Sequence, residues 1–260
     1  MVEVVSLLLI GAFSGFVAGL LGVGGGLIMV PALLYILADS IDNSVLMHTA
    51  IGTALAAIVF TSISSVWAHH NHKAILWNNF IKLTPTILLG AYSGAIIAKH
   101  LSFDFLRLFF AFFELSVAII MWFGLSASGH VDKLVRWVWL VVGYIIGLVS
   151  AIVGIGGGTM TTPFLVYNNV EIKNAIATSA AVGMPIAIAG SVGFIVAGYG
   201  VEGAIGGLGF IHLKALMSIV VASVLFAPLG AKVTHIVNSK KLKKVFSIFL
   251  GLLGLMVIIF

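Results

Sequence analysis

Apolar residues run almost unbroken from Val4 to Ala38, and again from Trp137 to Tyr167. A membrane-crossing helix needs about 20 apolar residues, and the 35 of the first run exceed one crossing. Glycine clusters divide both runs. The pattern predicts a first leg ending near Leu21, a break, and a short helix from Leu27 to Leu37. The second run predicts a leg over Trp137 to Val153, a break at Gly154 to Gly158, and a short helix over Thr159 to Tyr167. Further apolar stretches predict helices over Ser44–Ala68, Asn78–Ala98 broken or bent near Pro85, Phe105–Leu125, Lys173–Ala197, His212–Val233 and Lys240–Phe260. Polar turns are expected at Asp39–Asn43, His69–Trp77 and Lys99–Asp104, a linker at Ser126–Arg136 and a glycine-rich loop at Gly198–Gly209.

The break occurs twice in the same form. Gly15-Phe-Val-Ala-Gly19-Leu-Leu-Gly22-Val-Gly24-Gly25-Gly26, followed by Pro31, is matched by Gly147-Leu-Val-Ser-Ala-Ile-Val-Gly154-Ile-Gly156-Gly157-Gly158, followed by Pro163, 132 positions later. Ala50 to Ala54 resembles Ala175 to Ser179 at an offset of 125, and Gly94 to Phe110 resembles Gly230 to Phe246 at 136. A duplication covering most of each half is expected, with residues 1–126 as the first transmembrane repeat and 127–260 as the second. Each repeat has four segments, giving an all-α polytopic membrane protein with glycine-broken helices and about eight membrane segments. If each first unit enters and returns, the halves are inverted; if it crosses, they are parallel. Nine loop cations oppose three in the inverted arrangement and eight oppose four in the parallel one, so the positive-inside bias favours inversion.

Composition fixes the class. The chain is 61% hydrophobic and 8% charged, with a mean hydropathy of +1.24, against roughly 25% charged residues in a soluble domain. A multi-pass protein of the cell membrane follows. The net charge of +5 is explained by loop Lys and Arg and calls for no nucleic-acid partner. Lys240, Lys241, Lys243 and Lys244 are expected to set orientation and to meet anionic lipid. Trp67, Trp77, Trp137 and Trp139 suit an aromatic belt. Cysteine is absent, which removes disulfides and thiolate chemistry. The Met-Val-Glu start lacks a basic stretch and predicts no cleaved leader.

Glycine costs a helix interior about 1 kcal/mol relative to alanine, so three in succession end one. Broken backbone inside a bilayer is tolerated only within protein or beside a polar cavity, and matched breaks in two halves point to a transport site. The helices restarting after the glycines present free N–H groups and a partial positive charge, an anion site without any cation. Candidate donors are the backbones of Gly24, Gly25, Gly26, Gly156, Gly157 and Gly158, with hydroxyls from Thr53, Thr159, Thr178 and Ser179. Thr161 and Thr162 lie close by in sequence. The alternative is close helix packing by small residues. Glu114 is a carboxylate well inside a predicted span and a candidate proton carrier; Leu250 takes its place in the second half. His69, His70 and His72 read as an interfacial loop rather than a metal site. His48 and Lys173 read as interfacial residues at the mouth of the cavity. No cofactor, metal or catalytic constellation is indicated, no Walker A pattern is present, and the oligomeric state stays open.

At the doubled motif, Gly19-Leu-Leu-Gly22-Val-Gly24-Gly25-Gly26 to Pro31 and Val153-Gly154-Ile-Gly156-Gly157-Gly158 to Pro163, and at Ala175 to Ser179, the chain resembles the sulfite exporter TauE/SafE family of membrane permeases. The resemblance extends over nearly the whole length. It implies a transporter of small sulfur-containing anions such as sulfite and organosulfonates. Ala54, where the second half has Ser179, departs from the stronger pattern. The expected function is a secondary transporter working by alternating access, in the export direction. An anion channel using the same donors, or a membrane enzyme or scaffold, are the alternatives. An enzyme lacks its constellation here, and a scaffold leaves helix-breaking glycine at matched depths unexplained.

Overall fold

A computed structural model describes residues 2–123, 135–201, 207–234 and 239–259. Its helices are α1 (Val2–Leu21), α2 (Gly26–Leu37), α3 (Asn43–Asn71), α4 (Trp77–Ala98), α5 (Phe103–Phe123), α6 (Arg136–Val153), α7 (Gly158–Tyr167), α8 (Ile172–Gly198), α9 (Leu213–Thr234) and α10 (Ser239–Ile259). Six described helices are long and apolar enough to cross a membrane, and Gly26–Leu37, Trp137–Val153 and Ser247–Ile259 are shorter apolar helices. The protein is an all-α, multi-pass membrane protein. Most of the expected linker, the centre of the glycine-rich loop and the side chains of Lys240, Lys241 and Lys243 fall outside the described residues.

α3 and α8 form the centre. Both are buried along most of their length, because they are apolar or small on every face rather than along one stripe. They pack in opposite directions: Gly52 meets Phe194, Leu55 meets Gly190, and Ser62 approaches Gly183. α5 and α10 also run oppositely, with Ala111 and Leu115 against Gly254 at one end and Lys244 over the Trp122 ring at 5.7 Å at the other.

Around this centre the halves of the chain interleave. α1 packs against α9 and α4 against α6. Both pairs are parallel and both use glycine for close approach. Gly11, Gly15 and Gly19, spaced by four, lie on the backbone of Ile219, Ser223 and Ala227. Gly90 and Gly94 lie on Tyr144 and Leu148, while Gly147 lies on Ile87 and Ala91. Without a hydrophobic drive between helices in lipid, such backbone contact supplies the packing energy. α3 also runs parallel to α9, since Thr53 bonds near His212, Thr61 with Ser223 and Ser64 with Val224. α1 and α3 therefore point the same way, and α2 is the return between them.

Several expectations change. α3 continues to Asn71, so His69 belongs to a helix. It is fully buried, with Nε2 3.1 Å from the Gly19 carbonyl, because that carbonyl offers the ring a polar partner inside the fold. His48 is likewise buried, Nε2 3.0 Å from the Ala98 carbonyl and its ring stacked on Phe210. Lys173 is exposed. Trp139 leaves the aromatic belt: it is 9% exposed, packed on Phe164 and beneath Lys82. The glycine-rich segment closes with a two-stranded hairpin, Gly207–Leu208 (β1) against Ile211–His212 (β2), pinned by the Phe210 N–H donating to the Phe194 carbonyl. α4 runs without interruption through Pro85.

Candidate anion site at the crossed glycine breaks

The two breaks touch. A Cβ on Gly24 would stand 2.8 Å from the Gly156 Cα, and one on Gly156 would stand 3.0 Å from the Gly24 Cα. Their flanks are reciprocal: a Cβ on Gly26 would fall on the Gly154 carbonyl, and one on Gly158 on the Gly22 carbonyl. The breaks thus cross in opposite directions with no side chain between them, and the Gly156 N–H donates to the Val23 carbonyl at 3.2 Å. Six candidate glycines are therefore brought together.

Each break then starts a helix in the same way. Gly25 precedes α2 at φ 82° and Gly157 precedes α7 at φ 71°, backbone that only glycine adopts without strain. Neither cap carries a side-chain hydrogen bond. The first donors within the helices are Ile28 and Met29 to the Gly25 carbonyl, and Met160 and Thr161 to the Gly157 carbonyl. The N–H groups of Gly26 and Leu27, and of Gly158 and Thr159, precede them and have no acceptor in their own helix. Two positive helix ends meet where the backbones cross.

The candidate hydroxyls divide. Thr53 accepts from the His212 N–H at 2.9 Å, and Thr178 accepts from the Leu76 N–H at 2.9 Å. Each threonine thus holds the entry to a helix in the other half of the chain, with its hydroxyl hydrogen left for another acceptor. Ser179 stands beside the first break, its Oγ 3.1 Å from the Cβ position of Gly22. It donates to the Ile176 carbonyl at 3.0 Å and lies 2.7 Å from Thr162 Oγ1. Thr159 Oγ1 has no hydrogen-bond partner among the described residues, and neither do Ser150 Oγ and Thr161 Oγ1. Glu114 is apart from this cluster. It lies fully buried on α5, the helix packed on α10, and both carboxyl oxygens lack a partner among the described residues. No group of three or more metal-ligating side chains occurs among the described residues.

Sequence reading missed the hydroxyl face of α3. Thr61, Ser62 and Ser65 are buried there, and Thr61 Oγ1 lies 2.8 Å from Ser223 Oγ. The run Thr61-Ser62-Ile63-Ser64-Ser65 in a membrane helix was the available signal, since hydroxyls at such depth need partners.

The family model for "Sulfite exporter TauE/SafE" matches residues 7–257. The chain belongs to the sulfite exporter TauE/SafE family. A "probable membrane transporter protein" of Haemophilus influenzae is 37% identical over 94% of this chain and 93% of its own length. Another "probable membrane transporter protein", from Methanocaldococcus jannaschii, is 27% identical over 97% and 94%. A third, from Bacillus subtilis, is 24% identical over 94% and 96%. No solved structure matches the chain. As a TauE/SafE protein it is a membrane transporter, and membership sets it among permeases rather than enzymes.

Proposed function

We propose that this TauE/SafE protein is a secondary transporter that moves a small sulfur-containing anion, sulfite or an organosulfonate, out of the cell by alternating access. The reading rests above all on the crossed breaks: two helix N-termini, meeting backbone to backbone, form an anion site with no fixed cation. Gly24–Gly26 and Gly156–Gly158 are the proposed N–H donors, and Thr53, Thr159, Thr178 and Ser179 the proposed hydroxyl donors. Contact between the breaks supports alternating access over an open channel, since the anion passes only when the halves shift.

We read residues 1–126 and 127–260 as inverted repeats. The opposite courses of α3 and α8, and of α5 and α10, support this, as does the return of α2 beside α1. Glu114 is the proposed carrier of a coupling proton: it is buried, membrane-embedded and unpartnered among the described residues.

The test is sulfite flux in proteoliposomes, with and without a pH gradient. Saturable flux supports the site, and acceleration by the gradient that disappears in Glu114→Gln supports the coupling role. Conductance without saturation indicates a channel. Absence of flux from folded protein overturns the sulfite assignment.

A further inference from the structure

Beside the first break lies a small, partly open space that none of the assigned hydroxyls borders. Its volume is about 10 Å³, and it is bounded by Ala18, Gly24, Thr61, Ser62, Ser65 and Ala180. That is room for about one water molecule. Ser65 is 3% exposed, and its Oγ has no hydrogen-bond partner among the described residues. Ser62 is also 3% exposed. Its Oγ lies toward the second break: a Cβ at Gly183 would stand 3.5 Å from it and 2.8 Å from the Gly156 carbonyl. Thr61 is already tied to Ser223. A buried hydroxyl without a partner calls for an explanation. Here it borders a cavity that Gly24 of the first break also lines.

We propose that Ser62 and Ser65 donate to the transported anion from α3 when the breaks part, so that the site opens on the side of the first break. The proposal rests on the anion-transport reading above. Every donor it assembles is uncharged. No Lys, Arg or His lines the space, so the ligand is held by several directed hydrogen bonds and a helix end rather than by an ion pair. That chemistry fits an oxyanion head with several acceptor oxygens, as in sulfite or a sulfonate, better than a halide. By the 125-residue offset, Ala187 and Gly190 stand in the second half where Ser62 and Ser65 stand in the first, so the second break has no equivalent pair.

The experiment measures sulfite uptake kinetics in proteoliposomes and thermal unfolding of the same variants in detergent. Ser65→Ala and Ser62→Ala are each expected to raise the KM for sulfite about tenfold, as for loss of a hydrogen bond to a charged group. The melting temperature of Ser65→Ala should hold or rise, because the lost hydroxyl had no partner in the fold. Ser65→Cys keeps the size but weakens the donor, should give an intermediate KM, and serves if the alanine variant fails to accumulate. Ser218→Ala, which removes a hydroxyl that donates to the Lys214 carbonyl on α9, should keep the wild-type KM, and chloride should compete poorly. Wild-type KM in both Ser62→Ala and Ser65→Ala, or an equal rise in Ser218→Ala, overturns the assignment and leaves the transport reading intact. A wild-type protein without saturable flux of sulfite or a sulfonate removes that reading and this inference with it.

Discussion

The two glycine breaks start their helices alike, from a left-handed glycine, but in two environments. At the first, a side chain in place of the Gly25 hydrogen would meet the Ser14 carbonyl at 2.8 Å. At the second, one in place of the Gly157 hydrogen would meet the tip of Ile186. The first break has Ser179 of α8 beside it and further hydroxyls on α3, at Thr61, Ser62 and Ser65. The second has them on its own flanking helices, at Ser150, Thr159, Thr161 and Thr162. Gly24, Gly26, Gly156 and Gly158 stand where backbone meets backbone, and the surrounding side chains differ between the breaks. A shared motif therefore specifies how the chain crosses itself, while the neighbouring helices decide what each crossing holds.

The comparison can be broken in order of expected effect. Gly26→Ala and Gly158→Ala drive a methyl into the opposing carbonyl. Both should lose transport and about 3 kcal/mol or more of stability, read by flux and by unfolding in detergent; a tolerated change at either would show that the breaks separate readily. Next, Gly25→Ala and Gly157→Ala share the strain of a left-handed residue, about 1–3 kcal/mol. Gly25→Ala should be the worse, because the Ser14 backbone cannot move aside as the end of Ile186 can. Equal melting temperatures would remove that distinction.

Thr53→Val and Thr178→Val test where the halves agree. Each strips the acceptor from one backbone N–H in the opposite half, at about 1–2 kcal/mol. Matched losses are expected, and a clear imbalance would mean that the two helix entries are held differently. The smallest effect concerns the starts of α3 and α8. Asp42 accepts from the Ser44 N–H at 2.7 Å, whereas Glu171, at the matching position, makes no side-chain cap bond. Hydrogen bonds from the Ser44 side chain and then its backbone N–H hold the Asp42 carboxyl below its ordinary value. Because the folded value is depressed, its stabilisation is present above the unfolded value and disappears as pH falls through the folded one. Asp42→Ala should lower the melting temperature at neutral pH and flatten its decline on the acid side; Glu171→Ala should change neither.

Helix positions were legible because apolar length and glycine are local signals. The short helices expected from Leu27 and Thr159 begin at Gly26 and Gly158. The contact between Gly24 and Gly156 was not legible, because it joins residues 132 apart and leaves no mark beyond the glycines themselves. Thr53 and Thr178 were recognised as a matched pair, but their acceptance of N–H groups from opposite halves depends on the interleaving of α1 with α9 and of α4 with α6. His69 was misplaced because polarity suggested a loop, while the Gly19 carbonyl gives its ring a partner inside. Ser62 and Ser65 were not legible as site residues because they have no hydroxyl counterpart at the matching positions of the second half.

The pairing of α1 with α9 also bears on how the protein is made. Gly11, Gly15 and Gly19 are each translated 208 residues before the residue they lie against, Ile219, Ser223 and Ala227. Until then this bare backbone face has no native neighbour. The glycine face of α1 is therefore completed only by α9, from the other end of the sequence.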